Sequence, residues 1–238
     1  MADRDQWDPE NNLLHRAVWR YLKNGWPIIP ICWMEGERCV CGKPHCNSPG
    51  KHPIAKLVPH GIKDATLDLS TAINWWTQYP KASIGIALGK VSGLVVIDVD
   101  GPQGAELLEK LLDKYEFTLN PKWFVETGRA DGGRHYYFSY PPNVSVPTRK
   151  IKGLEVRSDG TYVVVPPSIH YTGKVYRWRN IPPGSYPDEL PQCFIDFAIL
   201  GKKAFDGKAV PNGRPSRLAS ARVPSTVLQC GMRLRKCE

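Results

Sequence analysis

Apolar residues at Leu13, Leu14, Ala17, Val18, Tyr21 and Leu22 recur at the spacing of one buried helical face, and Asn24-Gly25 supplies a stop before a short strand at Ile28–Ile31. The pattern thus opens on an αβ unit. A second helix is expected from Asp68 or Ser70, with Ile73 and Trp76 facing inward and Pro80 at its end. Trp75 and Trp76 read as core, because large aromatics dominate protein interiors. Apolar runs predict strands at Ser83–Leu88 and Leu94–Asp100, after which Pro102 sits at a helix start and Ala105, Leu108, Leu111 and Leu112 give the buried face. Strands follow at Trp123–Glu126 and His135–Tyr140, around a loop, Thr127–Arg134, that holds three glycines. Leu154–Arg157 and Thr161–Val165, joined at Ser158-Asp159-Gly160, signal a hairpin. Helices and strands mix without a regular βαβ rhythm and without an internal repeat. The fold class is α+β, with largely antiparallel pairing in the second half.

At 238 residues and 42% hydrophobic content, the chain can build a real core. It has no apolar run able to span a bilayer, and Met1–Glu10 is charged and polar where a secretion signal needs an apolar stretch. A cytoplasmic protein with no membrane partner is expected. The net charge of +9 is misleading, because residues 201–238 hold nine Lys and Arg against Asp206 and Glu238. That stretch is rich in Pro, Gly, Ser and Arg and lacks periodicity, so it reads as a disordered tail or linker after a folded domain over residues 1–200. Local charge says more. Between Arg149 and Arg179 seven basic residues stand against Glu155 and Asp159, a pattern suited to a phosphate-rich ligand.

The strand Val95–Asp100 ends in two carboxylates at alternate positions, Asp98 and Asp100. Alternate strand residues share a face, so the acids stand roughly 7 Å apart while Val99 points into the core. Such a pair costs stability unless it opens on a cleft and holds a cation. Cys39-x-Cys41-x4-Cys46-x5-His52 offers the ligand set of a closed tetrahedral zinc site in a loop, residues 39–52, with too few apolar residues to pack on its own. His45 or Cys32 could replace one ligand. Four protein ligands leave no open position, so this zinc would be structural. Glu155 shares a strand face with Arg157, opposite Leu154 and Val156, and is a candidate third metal carboxylate. His135 follows a glycine turn, on the face of Tyr137, where an imidazole can donate to phosphate. Ser168 and His170 end the last strand with a hydroxyl and a second imidazole.

The order of these motifs is more specific than any one of them. Val-Ile-Asp-Val-Asp, then Gly-Gly-Arg-His, then Leu-Glu-Val-Arg, then Asp-Gly-Thr-Tyr-Val-Val-Val-Pro-Pro-Ser-Ile-His resembles the bifunctional primase-polymerase domain of the archaeo-eukaryotic primase superfamily. Upstream, Pro49-Gly50-Lys51-His52-Pro53, Gly61-Ile62-Lys63-Asp64-Ala65-Thr66, Trp75-Trp76 and Ile84–Gly89 look like the preceding segments of that family. The resemblance covers about Gly25–Trp178. Two positions depart from it: Gly133 stands where a small hydroxyl residue is common, and the third acid is Glu rather than Asp.

The resemblance implies a two-part core, an N-terminal αβ unit and a half like an RNA-recognition-motif sheet, with the active site between them. It implies a DNA primase and polymerase, a nucleotidyltransferase working on single-stranded DNA template and primer with NTP or dNTP substrates. Asp98, Asp100 and Glu155 would hold two Mg²⁺ or Mn²⁺ ions, and His135 would bind the triphosphate. Arg134, Arg157, Lys51 and Lys63, with Ser168 and His170, are further phosphate candidates, and Arg149, Lys150 and Lys152 could follow the template backbone. Relatives are often joined to a helicase, and the chain holds no ATPase P-loop pattern, so a helicase would be a further domain or partner. Two other classes fit the same residues: a metal-dependent nuclease, and a catalytically silent zinc-bearing module that binds nucleic acid. A rolling-circle initiator needs paired histidines flanking one apolar residue, which this chain lacks.

Overall fold

Residues 7–179 and 185–207 are described by the structure, a computed structural model. Helix α1 (Leu13–Lys23) starts where the Asn12 side chain accepts the N–H groups of Leu14 and His15, two of the donors a first helical turn leaves unpaired. Val18 and Tyr21 carry its buried face. Strand β1 (Ile28–Ile31) leads into a small ribbon, β2 (Met34–Glu35) with β3 (Arg38–Cys39), at the start of the cysteine loop. Helix α2 (Leu69–Gln78) is capped by Asp68, whose carboxylate accepts the Thr71 N–H at 2.8 Å. Trp75 and Trp76 are buried as expected, and the Trp76 Nε1–H donates to Ala82 O at 2.9 Å. Ile73 is only half-buried, and Ala72 takes the inward position instead.

Two main sheets follow, and every ladder in them is antiparallel. The larger has six strands: β5 (Leu94–Val99), β6 (Phe124–Glu126), β7 (Arg134–Ser139), β8 (Arg149–Ile151), β9 (Leu154–Arg157) and β11 (Arg177–Arg179), in the order β11-β6-β7-β5-β9-β8. The smaller joins β1, β4 (Ser83–Ala87) and β10 (Tyr162–Val165), with β4 central. Helices α3 (Gly101–Lys114) and α4 (Gln192–Leu200) pack on one face of the six-stranded sheet with Val95, Ile97 and Val99, while Leu94 and Val96 of the same strand join the core of the other sheet. Both faces of β5 are therefore covered. That is why its sequence reads as a continuous apolar run rather than an alternation.

The expected hairpin between β9 and β10 does not form. Strand β9 already has β5 on one edge and β8 on the other, so it has no free edge, and β10 crosses to pair with β4. Asp159 fixes this crossing rather than a tight turn, accepting the Lys90 N–H at 2.8 Å and the Tyr140 hydroxyl at 2.9 Å. The second departure is at the boundary set at residue 200. Gly201–Phe205 is a 3-10 helix with Ala204 fully buried and Phe205 edge-on to Phe197 at 5.6 Å, so ordered packing continues past Gly201. The rest of the basic stretch, 208–238, lies outside the described residues.

Among chains that end early, one ending after Gly207 should keep its stability, whereas one ending after Leu200 should lose on the order of 2 kcal/mol with the burial of Ala204 and Phe205. Urea melts of the two truncations compare them directly. Equal midpoints would show that this 3-10 helix adds nothing to the core.

Candidate active site

Cross-strand register assembles the site. In the six-stranded sheet Asp98 lies directly opposite His135 on β7 and Glu155 on β9, so three polar side chains stand side by side on one face. Asp98 is 5% exposed, His135 7% and Glu155 8%, burial that carboxylates tolerate only with partners. The partner is Arg157, two residues along β9 on the same face. Its Nε donates to Asp98 Oδ2 at 2.8 Å, and its Nη2 lies 3.0 Å from Glu155 Oε2. Lys150 adds a contact of 3.2 Å to Glu155 from the neighbouring strand. The second oxygen of Asp98, Oδ1, is buried without a hydrogen bond, and His135 Nε2 lies 3.5 Å away.

Asp100 stands just beyond the strand, as the residue before α3. A close approach of backbones holds it there: Asp100 N–H donates to Gly153 O at 2.7 Å, in the turn between β8 and β9. Gly153 at φ 90 and Gly104 of α3 make room for this, since a Cβ on Gly104 would lie 2.3 Å from Gly153 O. The Asp100 side chain makes no cap bond to its own helix and instead faces Arg129 Nε at 3.3 Å.

The electrostatics separate the two acids. Burial pushes the Asp98 carboxyl up, but His135, when charged, and the Arg157 guanidinium outweigh it and hold Asp98 below the usual carboxylate range. Burial also pushes His135 down to about 4, so near neutrality the imidazole is uncharged and Arg157 is the counter-charge that matters. Asp100 moves the other way, raised by burial and then by the negative charge of Asp98. Asp98 is neutralised by Arg157 within the sheet, whereas Asp100, although Arg129 stands 3.3 Å away, stays raised by burial and by Asp98.

Both acids border a cleft of about 350 Å³ between the two sheets. Asp98, Asp100, His135 and Arg157 line it from one side and Tyr162, Val163 and Val164 of β10 from the other, with Lys51 and His52 of the cysteine loop at its rim. Thr127, Arg129 and Tyr176 complete the wall, and none of them was singled out by the sequence reading. Thr127 and Arg129 sit in the glycine loop between β6 and β7, which carries no signal beyond its turn residues.

Other candidates fall elsewhere. Arg134 alternates with His135, so it points to the opposite face and meets the Tyr136 hydroxyl at 3.4 Å. Lys63 belongs to a separate groove with Leu67 and Val91. Ser168 accepts the Ile84 N–H at 2.9 Å and borders a larger, mostly apolar groove of about 820 Å³ beside Leu13 and Trp33, away from the carboxylates. His170 is buried behind Tyr176, ring centroids 5.7 Å apart, and does not line the cleft. Arg149 donates to Ala198 O at the end of α4, a structural bond, while Lys150 and Lys152 are exposed. Glu155 lies beside Asp98 but beneath Arg157, outside the cleft lining.

Beside the cleft the cysteine loop closes on itself. The ligand atoms of Cys39, Cys41, Cys46 and His52 all lie within 4.8 Å of one another, and His52 Nε2 is 3.5 Å from Cys39 Sγ and 3.4 Å from Cys46 Sγ. Tetrahedral zinc with Zn–S of about 2.3 Å and Zn–N of about 2.0 Å requires S···N edges of roughly 3.5 Å, so the four residues fit that ion. The Gly50 N–H on Cys39 Sγ, at 3.5 Å, and the His52 Nδ1 contact with Pro53 O, at 3.3 Å, supply the outer hydrogen bonds such sites use. Cys32, buried with its sulfur 4.0 Å from Pro53 O, and His45 both stay outside the set.

Residues 18–193 match the model of one family, the N-terminal domain of bifunctional DNA primase/polymerases. The chain belongs to that family. Comparison with curated proteins gives no match. Membership of the bifunctional primase/polymerase family brings a general primase or polymerase type of function to the chain. No helix among the described residues is long and apolar enough to cross a membrane.

Purified protein should carry one zinc per chain, and Cys46→Ala should lose it. Elemental analysis reads the metal, and limited proteolysis reads the loop, which should become cleavable between residues 39 and 52 when zinc is stripped. Metal-free protein with a protected loop would rule the zinc site out.

Proposed function

We propose that this protein catalyses template-directed nucleotidyl transfer on single-stranded DNA, extending a primer from nucleoside triphosphates in the cleft between its two sheets. The observation that carries the reading is the pairing of Asp98, whose buried Oδ1 lacks a partner, with Asp100, whose charge is opposed by its neighbour, on one wall of a cleft rimmed by cations. An orphaned carboxylate oxygen beside a second carboxylate fits a hard divalent cation. Asp98 and Asp100 are therefore the residues that would hold Mg²⁺ or Mn²⁺, and Glu155 would join them where Arg157 releases it. Bound there, the ions would activate a 3′-hydroxyl and stabilise charge on the phosphate under attack. The Cys39, Cys41, Cys46 and His52 set would hold a structural zinc.

The chain's own groups account for substrate placement. Arg157, beside Asp98 on the same wall, and Lys51 at the rim would bind phosphate oxygens, Arg157 in a forked geometry and Lys51 as a point charge. His135, neutral near pH 7, would donate a single hydrogen bond to the triphosphate. Exposed Lys150 and Lys152, at the edge strand beside Glu155, would meet the template backbone. The two-sheet arrangement, with an N-terminal αβ layer facing a larger antiparallel sheet, supports a primase-type core.

Primer extension on a single-stranded template, with separate NTP and dNTP pools and Mg²⁺ or Mn²⁺, tests the reading. Both Asp98→Ala and Asp100→Asn should abolish extension, but their stabilities should diverge. Loss of Asp98 strips a buried partner from Arg157 and should cost on the order of 2 kcal/mol. Asp100→Asn removes a repelled charge and should leave the melting temperature unchanged or raised. Extension by folded Asp100→Asn protein would overturn the metal assignment, and nicking of DNA without triphosphates would point to a nuclease instead.

A further inference from the structure

The β6–β7 loop hides a hydroxyl with no hydrogen-bond partner. Thr127 is 2% exposed, borders the cleft, and its Oγ1 has no partner among the described residues. Its backbone is tied down, because the Thr127 N–H donates to Gly133 O at 3.1 Å across the mouth of the hairpin. The side chain then occupies the space a side chain at position 133 would need: a Cβ on Gly133 would lie 2.3 Å from Thr127 Oγ1 and 2.6 Å from Arg129 Cδ. Gly133 is thus required for the hydroxyl to stand where it does.

A buried hydroxyl left unpaired costs stability, and native proteins keep few of them without a ligand, ion or water to satisfy them. Thr127 is not alone: His135 Nδ1, in the same cleft wall, is also buried and unpaired. The cleft lining also carries Arg129, Arg157 and Lys51, with Arg157 held against Asp98 at 2.8 Å and Arg129 against Asp100 at 3.3 Å. Unpaired donors beside cations call for an anion rich in acceptor oxygens. Arg129 is itself clamped by Asp131, at 2.8 and 2.7 Å, and so frames the subsite without filling it.

We propose that the Thr127 hydroxyl donates directly to the triphosphate of the incoming nucleotide, making Thr127 a substrate-binding residue that Gly133 admits to the cleft. The proposal rests on the nucleotidyl-transfer reading above and names a residue of its phosphate subsite.

Thr127→Val removes the hydroxyl at constant shape, and Thr127→Ser restores it. Binding of a non-hydrolysable deoxynucleoside triphosphate, binding of inorganic triphosphate, and the KM and kcat of primer extension are measured with melting curves of the ligand-free proteins. For Thr127→Val we expect about ten-fold weaker binding of both triphosphates, with the loss of extension falling in KM rather than kcat. Its ligand-free melting temperature should hold or rise, because an unpaired buried hydroxyl has gone. Thr127→Ser should bind within about two-fold of wild type. Wild-type affinity in Thr127→Val overturns this inference alone, as does a fall in melting temperature with no change in affinity, which would mark a structural hydroxyl. Failure of the wild-type protein to bind either triphosphate would overturn the nucleotidyl-transfer reading and this inference with it.

Discussion

Asp98 sits in the middle strand of a sheet covered on both faces, and only the Arg157 guanidinium at 2.8 Å makes an ionised carboxylate tolerable there. The rest of the cleft follows from that bond. Arg157 can reach Asp98 because β9 pairs with β5 in the register that sets Glu155 opposite Asp98, and a shift of one residue would send Arg157 to the helix side. The same register, read across to β7, fixes His135 on the other flank. Three candidate side chains from three strands are thus placed by backbone hydrogen bonds, with no dependence on loop conformation. Asp100 is different, because it lies past the end of the ladder and is held by the Gly153 carbonyl instead.

The second constraint is the cysteine loop. Residues 48–52 carry the loop to the cleft, where Ser48, Lys51 and His52 line it directly. His52 faces two ways: its Nε2 lies against Cys39 and Cys46, and its ring borders the cleft. Lys51, its neighbour in sequence, is anchored again through its carbonyl, which accepts the Tyr162 hydroxyl at 2.8 Å. Order in the loop and position of the Lys51 ammonium are therefore one property. A polar loop without apolar anchors keeps such a position only when something closes it.

Much of this was legible in the sequence because the determining signals are local. The Asp68 start of the second helix, the inward Trp76, the apolar run of β5 and the Cys39, Cys41, Cys46 and His52 spacing each depend on residues within a few positions of one another. What was misread depends on distant partners. An Asp-Gly turn between two apolar runs looks like a hairpin until both edges of β9 are seen to be taken, by β5 and β8. Arg134 seemed as good a phosphate ligand as Arg157, yet strand alternation turns it to the other face. Arg149 counted towards a basic patch and is spent on the Ala198 carbonyl, while Ser168 serves the Ile84 N–H. Thr127 and Arg129 were invisible for the opposite reason, since a glycine-rich loop has no periodicity from which a facing residue can be inferred.

The two candidate metal centres differ in what they ask of the fold. At the cysteine loop, four donors come together, so order in residues 39–52 and binding of a zinc ion there would rise and fall together. At the cleft, Arg157, Lys150 and Arg129 already oppose Asp98, Glu155 and Asp100, and the sheet that carries them is closed by apolar packing on both faces. On the proposed function, an ion entering there would compete with an internal cation for a carboxylate, which would weaken its binding to the free protein. A triphosphate would change that balance, because the displaced guanidinium would gain phosphate oxygens as the carboxylates gained the ion. On the proposed function, ion and nucleotide therefore favour each other's binding, and the exchange of partners by Arg157 is the physical link between them.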